Sequence, residues 1–207
     1  EKELKIDLVT SSISGFRKEE FSRNTTIHYL NIGKKGNFHY QTNKDLLRYS
    51  WKALRYCKKL LKKEKFDLIH AFFGIPCGYI AMKLGLPYIV SLRGSDVPFY
   101  NKRFEKLDKL IFQRLSRKIW RNAKVVVTNS EGLKELALNT SDKKINVIYN
   151  GIDIDEFKPL ENRRGEGSGE DGKIKEKIKI ISTGRLIERK GYKYLIRALK
   201  ELKNKVE

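Results

Sequence analysis

The amino-acid sequence predicts an α/β protein with a doubly wound parallel sheet. Short, nearly unbroken apolar runs alternate along the chain with segments whose apolar residues recur at helical spacing. Such runs are typical of strands buried on both faces, and sheets of this class bind ligands at the carboxyl ends of their strands. The predicted strands of the main domain are residues 4–10, 26–30, 66–71, 88–92, 125–128 and 145–149.

Helices are predicted between these strands from periodicity and from end signals. Residues 43–64 and 102–121 both carry an apolar stripe at helical spacing. Pro76 suits the first turn of a shorter helix, which is predicted to end near Gly85. Ser130 is a good N-cap for the helix that follows it.

The composition changes after residue 158, which predicts a domain boundary. Residues 1–158 form the first domain, and residues 159–177 are rich in Gly, Glu and Lys with few apolar side chains, as in a linker or inserted loop. Residues 178–207 then begin a second domain with a strand over 178–183 and a helix from about Gly191. One strand and one helix cannot bury a core alone, so we expect this second domain to be cut short.

Positive charge is concentrated in two of the predicted helices. The chain of 207 residues has a formal net charge of +20, and residues 44–65 and 102–121 hold most of the excess of Lys and Arg. This concentration indicates an anionic partner such as a membrane surface, a nucleic acid or a phosphorylated substrate. Two solvated helix faces would explain it equally well.

Several classes of protein are excluded or disfavoured by composition. Hydrophobic residues make up 40% of the chain, which is too many for a disordered segment, and no apolar run approaches the length of a bilayer span. Cys57 and Cys77 lack metal-ligand spacing, and the three histidines are scattered, so we expect no metal site. No signal-peptide pattern opens the chain, which predicts a cytoplasmic location.

The string VIYNGIDIDEFKP at residues 147–159 is the most specific motif. Asn150 and Gly151 both tolerate positive φ and allow a sharp turn after a strand. Asp153 and Asp155 can then accept hydrogen bonds from nearby backbone donors. A generic strand-to-turn junction explains the Asn-Gly pair alone, but not the whole string.

A second motif, STGRLIERKGYKYLIRAL at residues 182–199, suits a diphosphate. Gly184 permits close backbone approach after a strand, and Arg185 and Lys190 supply one fork-shaped and one compact cation. A helix beginning near Gly191 would add its free N–H groups and the positive end of its dipole. A solvated corner between a strand and a helix is the structural alternative.

These two strings resemble the GT-B glycosyltransferases of the family usually called GT4, which are retaining enzymes with two facing Rossmann-like domains. DLIHAFFGIPCGYIAMKLGLPYIVSLRGSDVP at 67–98 and AKVVVTNSEGLKEL at 123–136 extend the resemblance in the family's order. The resemblance implies a GT-B N-terminal domain followed by the first strand–helix unit of a second Rossmann-like domain. The family's first strand with its Gly-rich loop and its glutamate motif have no match, so we expect the chain to be inactive alone.

The resemblance also implies roles for particular residues. Those carried over are His70, Arg93 and Asp96 as catalytic residues, Gly184, Arg185 and Lys190 as contacts of the donor phosphates, and Asn150 and Gly151 at the hinge side of the cleft.

Three of these assignments have alternatives. His70 could equally be a core histidine at a strand end. Arg93 stands where the family commonly has histidine, which favours a fixed charge near the acceptor or a departing phosphate over a proton role. Asp96 could orient an acceptor hydroxyl or bond the loop backbone.

The implied activity is a hexosyltransferase reaction from a nucleoside-diphosphate-sugar donor to a hydroxyl acceptor, with retention. The expected acceptor is a lipid-linked or envelope glycan, no cofactor or metal is required, and the basic helices would give peripheral contact with an anionic membrane. A sugar-nucleotide epimerase or a phosphorylase of GT-B architecture is the alternative. A basic nucleic-acid-binding module is a distant alternative, since no nucleic-acid-binding fold signature is present.

Overall fold

A computed structural model describes residues 4–34, 42–100, 111–158 and 180–202. The chain divides into two compact units, Glu1–Gly151 and Ile152–Glu207.

The first unit contains two sheets. The smaller is a three-stranded sheet in the order β1-β3-β2, in which β1 and β3 are parallel and β2 and β3 are antiparallel. The larger is a fully parallel sheet in the order β4-β5-β6-β7. The strands are β1 (Ile6–Ser12), β2 (Arg17–Ser22), β3 (Thr25–Asn31), β4 (Ile69–Phe72), β5 (Tyr88–Leu92), β6 (Val125–Thr128) and β7 (Ile145–Val147).

Helices connect the strands, and their ends follow from local sequence. A capping box starts α1, because the Thr42 hydroxyl accepts from the N–H of Asp45 while the Asp45 carboxylate accepts from the N–H of Thr42. Ser130 caps α4 as predicted, and Gly85 ends α2 in the left-handed conformation. The helices are α1 (Asn43–Lys63), α2 (Tyr79–Leu84), α3 (Gln113–Asn122), α4 (Glu131–Leu138) and, in the second unit, α5 (Tyr192–Leu202).

The main hydrophobic core lies around the parallel sheet. Val90, Leu92 and Val126 from the sheet and Ile119 and Trp120 from α3 are completely buried. Each aliphatic side chain of this size stabilises the fold by roughly 1.5–3 kcal/mol through its removal from water. A second cluster, formed by residues including Leu30, Ala53 and Ile80, joins the smaller sheet to α1 and α2. The main cluster thereby supports the strands whose carboxyl ends lead into the candidate loops.

Some sequence predictions differ from the structure. The prediction of one parallel sheet missed the antiparallel strand β2, RKEEFS, which is exposed at every position and therefore carries no apolar signal. Pro76 lies in an irregular helical turn, Gly74–Gly78, that leads into α2. Residues 102–110 of the second basic helix lie outside the described residues, and α3 forms its C-terminal part.

The strand predicted over residues 178–183 does not form where the structure describes it. Residues 180–183 have no regular secondary structure, and Ile181 is 89% exposed. No other strand lies in the described part of the second unit to pair with it, and a strand without a hydrogen-bonded neighbour is not stable in water. The helix predicted from about Gly191 is present as α5.

Candidate functional site at the carboxyl edge of the parallel sheet

The parallel sheet brings several of the predicted site residues to one edge. Phe72 pairs with Ser91, and Leu92 pairs with Thr128, so β4, β5 and β6 end at the same level. The loop after β5 carries Arg93 and the residues that follow it, and Asn150 follows β7. This is the edge at which sheets of this class bind ligands.

Asp96 fastens two loops of this edge together. One carboxylate oxygen, Oδ2, accepts the backbone N–H of Gly74 at 2.6 Å, and the other, Oδ1, accepts the N–H groups of Arg93 and Gly94 at 2.9 Å each. The residue is 8% exposed. Burial raises the pKa of its carboxyl group, and the backbone donors oppose that rise. Two roles were predicted for Asp96, orienting an acceptor hydroxyl and bonding the loop backbone. The observed hydrogen bonds are those of the second role.

Two glycines make room for this arrangement. Gly94 has a φ of +124°, and a Cβ there would lie 2.9 Å from Cζ of Tyr100. A Cβ on Gly74 would lie 3.2 Å from Nε1 of the buried Trp120. Both loops therefore need glycine where they approach their neighbours most closely.

His70 lies on β4 and is exposed at the edge, so it is not a core histidine. Its Nε2 is 2.8 Å from the hydroxyl of Ser91 on β5, and its ring stacks on Phe72 with 4.4 Å between centroids. Desolvation lowers the pKa of His70, and the positive charge of Arg93 lowers it further. A neutral imidazole at neutral pH can accept a proton or a hydrogen bond from a hydroxyl group.

Arg93 extends across the edge from β5 toward the end of β7. Its guanidinium carbon lies 5.3 Å from the centre of the Phe72 ring, and its Nη1 donates to Oδ1 of Asn150 at 2.9 Å. Within the described part of the chain Arg93 forms no ion pair with a carboxylate. Its charge is therefore held in place by neutral partners, which leaves it able to bind an anionic group.

The predicted hinge residues lie where the two units divide. Asn150 is fixed through Arg93, and Gly151 is the last residue of the first unit. Neither residue has a positive φ. The turn after β7 therefore forms without the left-handed backbone conformation that the Asn-Gly pair was predicted to supply. In the second unit Asp153 accepts the N–H groups of Asp155 and Glu156, as predicted for an acidic side chain in this string.

The predicted phosphate-binding residues lie in the second unit, just before α5. Gly184 has a φ of +155°, and a Cβ there would lie 2.9 Å from the hydroxyl oxygen of Tyr192. The side chains of Arg185 and Lys190 are exposed, and Lys190 closes a short 3₁₀ turn, Glu188–Lys190. A pocket of about 300 Å³ opens nearby, and its lining does not include either cation.

Two residues of the edge were missed by sequence reasoning. Ser91 contacts His70 and Phe72 contacts both His70 and Arg93. The only signal for them is the pairing register of two predicted strands, which places Ser91 beside the end of β4.

The fold and its polar edge define a Rossmann-like domain with a ligand-binding edge, and comparison with known proteins gives the family. The sequence profile described as Glycosyltransferase Family 4 matches residues 2–156, and the chain belongs to that family. The α/β fold with a parallel sheet that we predicted for the first domain is confirmed by the sheet β4–β7 and by the solved structure described below.

Relatives of known sequence agree with this assignment. The chain is 29% identical over 150 residues to an uncharacterized 41.2 kDa protein in the cps region of Klebsiella pneumoniae, with 69% of this chain and 41% of the relative covered. It is 30% identical over 142 residues to a Bacillus subtilis protein provisionally named teichuronic acid biosynthesis glycosyltransferase TuaC, with coverage of 67% and 35%. The chain thus spans about two fifths of the length of these relatives.

A solved structure shares the fold. Sucrose-phosphate synthase from Thermosynechococcus elongatus superimposes with a TM-score of 0.59 at 17% identity, covering 74% of this chain and 40% of the synthase. Among the residues that the structure describes, no helix combines the length and apolar composition needed to cross a bilayer. The same residues contain no group of three or more His, Cys, Asp and Glu side chains placed to hold a metal ion.

Proposed function

We propose that the complete protein is a hexosyltransferase that moves a sugar from a nucleoside-diphosphate donor to a hydroxyl group of a glycan or glycolipid, with retention at the anomeric carbon. The observation that carries this proposal is the cluster of His70, Arg93 and Asn150 at the carboxyl edge of the parallel sheet of a Family 4 domain. The cluster combines a neutral base with a fixed cation, which suits a hydroxyl acceptor next to a negatively charged leaving group.

On the acceptor side we assign His70 to the hydroxyl group. Its lowered pKa keeps the imidazole neutral, so it can accept a hydrogen bond from the acceptor as the new bond forms. Arg93 lies beside it and supplies positive charge without a carboxylate competitor in the described structure. Asp96 is a positioning residue, because its two oxygens are occupied by backbone N–H groups of the loops that carry the site.

On the donor side we assign the diphosphate to the segment that contains Gly184, Arg185 and Lys190. Breaking the bond to the anomeric carbon leaves an oxocarbenium-like sugar and adds negative charge to the diphosphate. Exposed Arg and Lys side chains beside the start of a helix can stabilise that charge. The helix end contributes roughly 0.3–1 kcal/mol when exposed, so the two cations would dominate. This chemistry needs neither a cofactor nor a metal ion.

The acceptor is proposed to be an envelope or lipid-linked glycan. Relatives named for a cps region and for teichuronic acid biosynthesis support a polymeric glycan. We propose a cytoplasmic location, in agreement with the free thiols of Cys57 and Cys77, with peripheral contact to an anionic membrane through the basic helices.

A screen of nucleoside-diphosphate sugars on the complete protein tests the proposal. Product analysis should show a transferred sugar and a released nucleoside diphosphate for at least one donor. Arg185→Ala and Lys190→Ala should each weaken donor binding by tenfold or more while leaving the midpoint of thermal unfolding unchanged, since both side chains are exposed.

Arg197→Ala and Lys200→Ala provide matched controls on α5. Both side chains are exposed cations of the same unit, outside the proposed phosphate segment. Equal loss of donor affinity in all four variants would show that the donor responds to the net positive charge of the unit and not to a specific phosphate site. Full turnover in both Arg185→Ala and Lys190→Ala would refute the phosphate assignment.

A further inference from the structure

A second pocket lies on the first unit, between α1 and the ends of the smaller sheet. Its volume is about 280 Å³, and it shares no residue with the cluster of His70, Arg93 and Asn150. Its lining includes three aromatic and three cationic side chains, which are Phe16, Trp51 and Tyr56 and Lys52, Arg55 and Lys59.

Three cations converge on this pocket. Lys52, Arg55 and Lys59 are three, four and seven residues apart along α1, so they share one face of the helix. The pocket lining contains no acidic residue, and none of the three cations forms an ion pair with a carboxylate in the ranges that the structure describes. Like charges this close repel one another, and a bound anion would relieve that repulsion.

Two of the cations are held in position by neutral partners. The ammonium group of Lys52 donates to the backbone carbonyl of Asn31 at the end of β3. The guanidinium carbon of Arg55 lies 4.7 Å from the centre of the Trp51 ring. Neither contact neutralises charge, so both side chains stay available to a ligand.

One aromatic residue of the pocket, Tyr56, is held in position by a chain of hydrogen bonds to buried side chains. The hydroxyl of Tyr56 is 2.7 Å from Nδ1 of His28, and Nε2 of His28 is 2.7 Å from Oδ1 of Asp7. The side chains of His28 and Asp7 are 1% and 3% exposed. The rings of Tyr56 and Phe16 lie 5.7 Å apart. Tyr56 is therefore held against the folded core before any ligand binds, whereas the Phe16 and Trp51 rings are 59% and 58% exposed and can contact a ligand from the surface.

We propose that this pocket binds an organic phosphate, with its phosphate group against Lys52, Arg55 and Lys59 and its organic part against Phe16 and Trp51. The inference uses none of the residues assigned to sugar transfer, and its lipid arm deepens the membrane contact proposed above for the basic helix α1. The headgroup of an anionic phospholipid and a soluble phosphomonoester both carry the required chemistry.

Binding of two probes to the full chain distinguishes these sources. The first probe is phenyl phosphate, which combines a phosphomonoester with a ring and is followed by calorimetric titration. The second is a vesicle containing phosphatidylglycerol, compared by sedimentation with a vesicle of phosphatidylcholine alone. Saturable binding of phenyl phosphate identifies a soluble ligand, and binding of the anionic vesicle alone identifies a lipid headgroup.

A matched pair of double variants separates pocket binding from general charge. Arg55→Gln with Lys59→Gln removes two pocket cations, and we expect at least tenfold weaker binding of whichever probe binds. Lys58→Gln with Lys62→Gln removes two exposed cations of the same helix that do not line the pocket, and binding should change by less than twofold. Equal losses in the two double variants, or no binding of either probe to the wild type, would overturn the proposal.

Discussion

Oδ2 of Asp96 lies 2.6 Å from the backbone nitrogen of Gly74, and this hydrogen bond joins the loop after β5 to the loop after β4. The other oxygen of the same carboxylate holds the N–H groups of Arg93 and Gly94. One buried side chain thereby joins the loop that carries Arg93 to the loop that follows the strand of His70. Geometry at the candidate site and stability of the fold consequently depend on the same contact.

Replacement of Asp96 by Asn should destabilise the first unit by about 2 kcal/mol, because a buried donor left without an acceptor costs roughly 1–3 kcal/mol. Three backbone N–H groups point at the two carboxylate oxygens. In either orientation of an Asn side chain, at least one of these donors would face an amide NH₂ group. Urea denaturation followed by circular dichroism measures the change in the free energy of unfolding.

Asp142→Asn is the matched control for that measurement. The Asp142 side chain is 79% exposed and pairs with Arg121 at the surface, so the same chemical change should leave the free energy of unfolding nearly unchanged. If Asp96→Asn is as mild as the control, the carboxylate does not support the loops.

Gly94→Ala should destabilise the protein by about 1–3 kcal/mol. The φ of +124° is unfavourable for any residue with a Cβ, and the added carbon would lie 2.9 Å from Cζ of Tyr100. Gly132→Ala is the control, because Gly132 lies within α4 and a Cβ there would meet no heavy atom within 4 Å. Its substitution should stabilise the protein by up to about 1 kcal/mol through helix propensity. Thermal unfolding of the two variants should shift in opposite directions, and a shift of the same sign and size would contradict the strain at Gly94.

The parallel strands were predictable because strands buried on both faces consist almost entirely of apolar residues. Tyr88–Leu92 and Val125–Thr128 form at the bounds predicted, and both have near-continuous apolar runs with completely buried residues. Strand β2 has the opposite character, since its exposed and mostly charged residues pair with β3 through the backbone and through the guanidinium of Arg17 over the Tyr29 ring. Its position depends on the neighbouring strand, and that information is not local to its sequence.

The candidate site was predictable only where a motif marked it. His70, Arg93 and Asp96 were placed at the edge from the string that contains them, and the structure shows which neighbours each one has. The contact of Arg93 with Asn150 joins residues 57 positions apart, so it depends on the alignment of β5, β6 and β7. Local spacing cannot supply a contact of that range.

Arg93→Gln should raise the pKa of His70. Partial desolvation of the imidazole is the larger cause of the lowered pKa, and the positive charge of Arg93 is the second, so the substitution should remove only part of the shift. Titration of the histidine ring protons by NMR measures this directly. Arg121→Gln removes an exposed arginine that pairs with Asp142 and should leave the His70 titration unchanged. An unchanged His70 pKa in Arg93→Gln would show that the guanidinium does not act on the imidazole.

The same lowered pKa makes the stability of the fold depend on pH through His70. In the unfolded chain the imidazole titrates near its ordinary value of about 6.5, whereas the folded protein resists its protonation. Unfolding therefore takes up a proton below that pH, so the contribution of His70 to stability is fully present above pH 6.5 and is lost as the pH falls through the folded pKa.

His70→Gln cannot titrate, so its free energy of unfolding should fall less between pH 7.5 and pH 5.5 than that of the wild type. The free energy of unfolding of Arg93→Gln should fall by an intermediate amount, because the partial desolvation of the His70 imidazole remains. An equal fall in wild type and His70→Gln, measured by urea denaturation at both pH values, would mean that the folded and unfolded states protonate His70 alike.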